Sequence, residues 1–201
     1  KAVWNYDLNL TVPEWAIADQ YNEYKLRKGE QAALGPMGNS LLTTYFPTTG
    51  GRSEIGPYPK WTAMFLLSQD DRMREIMLSI ADAAGSVPVH YRDDGTQLPF
   101  DISKYPKASL RIGYSEPALP AITNGTTIWE PDISHQGSFS YVPYLLTGDL
   151  FYLEETQFWA TWNISGLNPG YREYEKGLMS PEQIRGQAWG VRALGEAARA
   201  T

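Results

Sequence analysis

A chain of 201 residues with 42% hydrophobic and 13% aromatic side chains has core material for one domain. Its 17 Lys and Arg nowhere cluster and are outnumbered by 23 Asp and Glu, so the net charge of −6 argues against a nucleic-acid partner. The absence of cysteine excludes disulfides, thiol nucleophiles and thiolate metal sites, and no apolar run is long enough to cross a bilayer as a helix.

The first twelve residues alternate apolar and polar at Trp4, Tyr6, Leu8, Leu10 and Val12, the period of a half-buried strand. Residues 1–12 are therefore expected to be a short N-terminal strand or a linker from a preceding region, and residues 13–201 a helical domain. The start at Lys1, with neither initiator Met nor signal peptide, reads as a processed product or a piece of a larger chain or assembly. An extracellular, periplasmic or virion-associated setting is favoured.

Pro13 opens a helix-like stretch that runs to about Lys28 and is closed by Gly29. Residues 29–60, rich in Gly, Pro and Thr, read as a long loop with one helical turn near Leu41. Residues 61–85 then predict a helix to about Leu67, a tight turn at Ser68-Gln69-Asp70, and a second helix stopping at Gly85. Between 86 and 133, prolines at 88, 99, 106, 117, 120 and 131 forbid long helices, and a connection of that length suits a rim or lid.

A second helical pair follows. Leu145-Leu146 precedes Thr147-Gly148-Asp149 and a helix that carries Glu154 and ends near Asn163. Leu66 and Leu145 are 79 positions apart, and so are Asp70 and Asp149, Glu75 and Glu154, and Ala81 and Ala160. A hairpin of the form LL-[ST]-x-D-x4-E thus recurs at one offset, as stacked units sharing a core would require. The last helix is expected to start with Ser180 as its N-cap and Pro181 at the first position. Ile184, Ala188, Val191, Gly195 and Ala198 would form a stripe small enough for another helix to approach closely.

Helical hairpins alternating with long aromatic loops resemble the (α/α) barrel, or toroid, of carbohydrate-active proteins: polysaccharide lyases, unsaturated glucuronyl hydrolases and sugar epimerases. YLLTGDLFYLEE looks like a helix-turn-helix of such barrels, and RGQAWGVRAL, residues 185–194, is similar to the RGQAW segment of the glucuronyl hydrolases. TTGGR, PVHYRD and HQGSFSYVPYLLTGD in this order also resemble large uncharacterised bacterial and prophage-encoded proteins. The resemblance implies a mainly all-α fold, an incomplete toroid of repeated helical hairpins, with a polysaccharide as partner and no cofactor.

Several residues are candidates for chemistry. His135 lies just before the first helix of the second hairpin. There it would either act as general base, taking the proton next to a uronate carboxylate, or simply bond backbone groups at the helix end. His90, Tyr91 and Arg92 stand together as the base, hydroxyl donor and cation that a lyase wants. Neighbours in an extended segment point to opposite sides, however, and a loop turning at Asp93-Asp94-Gly95 is the alternative.

Arg52 and Glu54 follow a glycine pair and would bind sugar hydroxyls or a carboxylate, or else brace the loop. Glu54 with Asp132 could form the carboxylate pair of a glycosidase. Trp129, in a loop flanked by proline, could be a sugar-stacking platform, whereas the aromatics between Tyr141 and Trp162 sit at helical spacing and belong to the core. With the two histidines far apart and no cysteine, a transition-metal site is not expected. The expectations are a polysaccharide-active or polysaccharide-binding domain, including a lyase of uronate-containing glycan, or alternatively a structural module of a large extracellular or phage-tail assembly.

Overall fold

The computed structural model describes residues 11–29, 34, 37–48, 50–110, 127–177 and 183–201. Among these the fold is all-α. It comprises α1 (Glu14–Gly29), α2 (Lys60–Ser68), α3 (Asp71–Ala84), α4 (Tyr141–Thr147), α5 (Leu150–Ser165) and α6 (Ile184–Ala200), with a 3-10 turn at Tyr174–Lys176. Extended pairing among the described residues is limited to isolated bridges, Tyr45 with Glu130 and Arg92 with Pro99. Residues 1–10 of the expected strand lie outside the described residues.

The two hairpins turn in the same way. Asp70 and Asp149 are N-caps in extended conformation, and each carboxylate accepts from the backbone two residues on, at Arg72 and Phe151. Gln69 (φ 57°) and Gly148 (φ 69°) end the preceding helices in the left-handed region. The hydroxyls of Ser68 and Thr147 both bond back four residues, to Met64 and Pro143, and both receive the N–H of the following Asp. The same short sequence pattern thus builds the same turn twice. At the first turn Gln69 occupies a left-handed position that glycine fills in the second. Its amide donates to the carbonyls of Phe65 and Leu66, which helps to hold it there.

Packing follows the apolar spacing. Met73, Ile76, Met77 and Ile80 of α3 are at most 1% exposed and meet Trp61, Met64 and Phe65 of α2. α5 buries residues around most of its circumference, including Tyr152, Phe158, Trp159 and Trp162, and packs against both α4 and α6. Phe46, from the long loop, stacks on Trp159 at 6.1 Å and meets Trp129 and Phe139 edge-on at 6.3 Å each.

α6 departs from expectation at two points. Ser180 and Pro181 lie outside the described residues, and the helix begins at Ile184 with Gln183 as an extended N-cap whose side chain makes no cap bond. The predicted stripe of Ile184, Ala188, Val191, Gly195 and Ala198 faces outward, Ile184 being 83% and Val191 61% exposed. Gly186, Gly190 and Ala193 are the buried face instead. A Cβ on Gly186 would lie 2.9 Å from the Ser134 hydroxyl, so glycine there lets the helix settle onto residues 133–134.

Arg172 is fully buried and has only carbonyl oxygens for partners. It donates to Tyr174, Leu167, Pro106 and Ala108, and so ties the chain after α5 to the 106–108 segment. Replacing it strands two buried acceptors, the carbonyls of Leu167 and Ala108, each worth about 1–3 kcal/mol when left unpaired. Arg172→Leu is therefore expected to lower the unfolding free energy by about 3 kcal/mol, read as a fall in the urea midpoint with little change in slope.

Candidate functional site

His135 is held by a short turn of its own segment. The Asp132 carboxylate accepts from the backbone N–H of Ser134 at 2.9 Å and meets His135 Nδ1 at 2.5 Å. A carboxylate can only accept, so Nδ1 carries a hydrogen, and in the neutral imidazole Nε2 is the nitrogen that keeps its lone pair. Among the described residues Nε2 has no hydrogen-bond partner, and the side chain keeps 16% of its surface exposed. The arrangement fixes the orientation of the imidazole ring. The N-cap position of α4 is Ser140, five residues further on, whose side chain makes no cap bond.

Arg52 and Glu54 hold this segment from behind. Arg52 donates to the carbonyls of Tyr45, Phe46 and His135 and to the Thr48 hydroxyl, and its Nε lies 3.1 Å from Glu54 Oε2. The other Glu54 oxygen accepts from the Thr43 N–H at 2.7 Å. Their side chains are only 10% and 7% exposed, so both are braces for the loop and neither is available to a sugar. The expected Glu54–Asp132 carboxylate pair fails for the same reason, since Glu54 serves Thr43 and Arg52 while Asp132 serves His135.

Gly137 is part of this junction. A Cβ there would stand 2.3 Å from the Glu54 carbonyl and 2.5 Å from the Phe139 ring. Trp129 is 6% exposed with its ring against Phe46, so it is a core residue and no platform for a sugar.

The His90-Tyr91-Arg92 cluster divides as period-two backbone requires. His90 and Arg92 both reach α5. His90 Nε2 is 2.6 Å from Glu155 Oε1 with its ring edge on Phe158, and Arg92 lies over Phe158 at 4.6 Å and 3.3 Å from Glu154. Tyr91 packs against the core, and burial pushes its phenol up. The turn predicted at residues 93–95 is present: Asp93 Oδ1 accepts from the N–H groups of Gly95 and Thr96.

His90 and His135 do not share a site. His90 is tied to Glu155, whereas the segment carrying His135 is pinned to α5 by the buried Gln136–Asn163 amide pair. Glu155 and Asn163 are eight residues apart on one helix, a separation of about 12 Å. No hydrogen bond or ion pair among the described residues joins the two histidine clusters.

Several residues near His135 were not legible beforehand. The Arg185 guanidinium, first in RGQAW, lies against Gly50 in the loop that Arg52 binds, and among the described residues it has no carboxylate partner. Further along, Ser138, Ser140, Arg192 and Glu196 line a small half-closed pocket beside Trp159. Glu196 accepts from the Ser138 hydroxyl at 2.8 Å, and its carboxyl is raised above the usual 4.5 because burial outweighs that hydrogen bond and the neighbouring Arg192. In the sequence Glu196 is one of several small-residue-flanked charges on α6, and only its burial distinguishes it. Among the described residues no group of three or more His, Asp and Glu side chains is arranged to hold a metal ion.

A carboxyl that binds its proton more tightly in the folded than in the unfolded state stabilises the fold below its unfolded value. That contribution is lost as the pH rises through its folded value. The protein is therefore expected to lose stability as the pH climbs from about 4.5 into the range just above, and Glu196→Gln is expected to flatten this decline. Urea unfolding of both proteins across that range is the measurement.

The chain matches no protein-family model, no curated protein and no solved structure.

Proposed function

We propose that this is a glycan-processing helical domain in which His135 serves as general base on a uronate-containing polysaccharide. The observation that carries the reading is the Asp132–His135 pair, which presents an oriented and unoccupied Nε2 at the protein surface. Such a base contributes about 10²–10⁴ in rate when it abstracts a proton in the transition state.

In β-elimination the base takes the proton next to the uronate carboxylate. The electron pair of that C–H bond forms a carbon–carbon double bond, the glycosidic C–O bond breaks, and the departing oxygen takes up a proton. The substrate carboxylate must be neutralised for the C–H bond to become acidic. Arg185, which has no carboxylate partner among the described residues and lies against Gly50 in the loop that holds His135, is the cation assigned to that role. The likeness of RGQAW to the glucuronyl hydrolases supports a glycan as substrate. The matching turns of the two hairpins support a toroid built from repeated helical pairs.

A second reading is favoured by one observation. The outward face of α6, with Ile184 and Val191, and the leucines at the α4–α5 turn (Leu145, Leu146 and Leu150) are exposed apolar surface. These surfaces suit a structural module that packs against further helical units of an extracellular or virion assembly.

The experiment is incubation with a panel of uronate polysaccharides, followed by the ultraviolet absorbance of unsaturated products. His135→Ala is expected to lower the rate about 10²–10⁴-fold, and Asp132→Asn to lower it through loss of the required tautomer. His90→Ala is expected to retain activity. Silence of the parent across the panel, or full activity of His135→Ala, overturns the lyase and leaves the structural reading.

A further inference from the structure

We propose that Tyr45 and Glu130 form a subsite for an uncharged sugar residue beside His135, so that the polysaccharide alternates uronate with neutral sugar. This rests on the glycan reading and names the substrate class of the same site.

Both residues belong to the framework that holds His135. The Tyr45 carbonyl accepts from Arg52 Nη1 at 3.2 Å, and the His135 carbonyl accepts from Nη2 of the same guanidinium at 3.1 Å. A guanidinium is planar and rigid, so it fixes the two backbones relative to each other. Glu130 is tied in from the other side. Its N–H donates to the Thr44 carbonyl at 2.9 Å and its own carbonyl accepts from Phe46 at 3.0 Å, which sets it beside Tyr45 in a parallel bridge. Only Pro131, with its locked φ, separates Glu130 from Asp132, the residue that orients the imidazole. Two residues of chain span at most about 7 Å.

Backbone alternation decides what these residues show to solvent. Phe46 and Trp129 are 1% and 6% exposed in the aromatic cluster, so the adjacent Tyr45 and Glu130 point outward. Tyr45 is 49% exposed, and Glu130 is exposed as well. Among the described residues the Tyr45 hydroxyl has no hydrogen-bond partner and the Glu130 carboxylate no ion pair.

The face of an aromatic ring is negative, and Glu130 adds a carboxylate beside it. Both repel the carboxylate of a uronate. Both suit an uncharged sugar, whose C–H face packs on a ring and whose hydroxyls donate to a carboxylate. The cation lies elsewhere, since Arg185 is against Gly50 and is the group that takes the uronate. A positive and a negative subsite around one base fit a repeat of unlike residues. A chain of uronates alone would bring like charge to Glu130.

The test compares alternating polymers (hyaluronan, heparosan and unsulfated chondroitin) with the homopolyuronates polygalacturonate and alginate. Cleavage is followed by ultraviolet absorbance. Binding is followed by retardation of the full-length His135→Ala protein, alone and combined with the substitutions below, in gels that contain each polymer. At least one alternating polymer is expected to be cleaved and retained about tenfold better than either homopolymer. Tyr45→Ala is expected to raise KM for that polymer about tenfold with kcat little changed, because stacking holds the substrate equally before and during reaction. Glu130→Lys is expected to shift the preference toward the homopolymers. Cleavage that favours a homopolyuronate, or that neither substitution alters, overturns the subsite and leaves the lyase standing. Retention that falls with Tyr45→Ala and shifts with Glu130→Lys, without cleavage by the parent, overturns the lyase and keeps the subsite. If no polymer is cleaved or retained, both fall.

Discussion

The stacking of Phe46 on Trp159, closed at its edges by Trp129 and Phe139, joins parts of the chain that lie far apart in sequence. Phe46 comes from the long loop before α2, Trp129 and Phe139 from the connection between the hairpins, and Trp159 from the middle of α5. Trp159 also meets Phe139 and Trp162 at 5.9 Å and 5.6 Å. Aromatic pairs of this geometry add about 0.5–1.5 kcal/mol each beyond the area they bury. Their larger effect is geometric, since each ring restricts its backbone to one approach. The cluster holds loop, connector and central helix in a fixed relation, and the polar groups around it are placed accordingly.

Two of those polar groups take their roles from this arrangement. Once Phe46 is seated, Arg52 lies over its ring and its guanidinium is surrounded by the carbonyls of Tyr45, Phe46 and His135. The arginine is then a clamp, and the His135 segment is fixed from the side opposite to its imidazole. Gly137 makes the clamp sterically feasible, because the Glu54 carbonyl occupies the place a side chain would need. With its backbone held by Arg52, Gln136 and Gly137, His135 presents a ring that Asp132 orients. The proposed site draws on a short stretch, residues 132–137, packed between the loop, α5 and the glycine face of α6.

Where residues act through their immediate neighbours in sequence, the reading from sequence agrees with the structure. The hairpin turns at Ser68–Asp70 and Thr147–Asp149 depend on hydrogen bonds spanning two to four residues, and those were legible. So were the α1 boundaries at Pro13 and Gly29, the end of α3 before Gly85, and the lack of long helix in the described part of 86–133. The turn at Asp93 and the splitting of Tyr91 from His90 and Arg92 likewise follow from strand alternation. Elsewhere a local pattern allowed two outcomes. α6 carries small residues on two faces, and periodicity could not say which one meets Ser134. Trp129 in a proline-flanked loop and Arg52 beside two glycines suited a binding surface as well as an interior.

The sequence by itself determined the helical class, the two matching turns and the candidacy of His135, because caps, left-handed turns and helical periods are short-range physics. Tertiary structure alone decided that Asp132 orients His135, that Arg52 and Glu54 are consumed as braces, and that His90 belongs to a separate cluster about 12 Å along α5. It also decided that residues 136–141 meet Arg192 and Glu196 of α6 around one small pocket. These are relations between residues distant in the chain. They depend on which aromatic side chains stack and which glycine faces touch, quantities that no local pattern encodes.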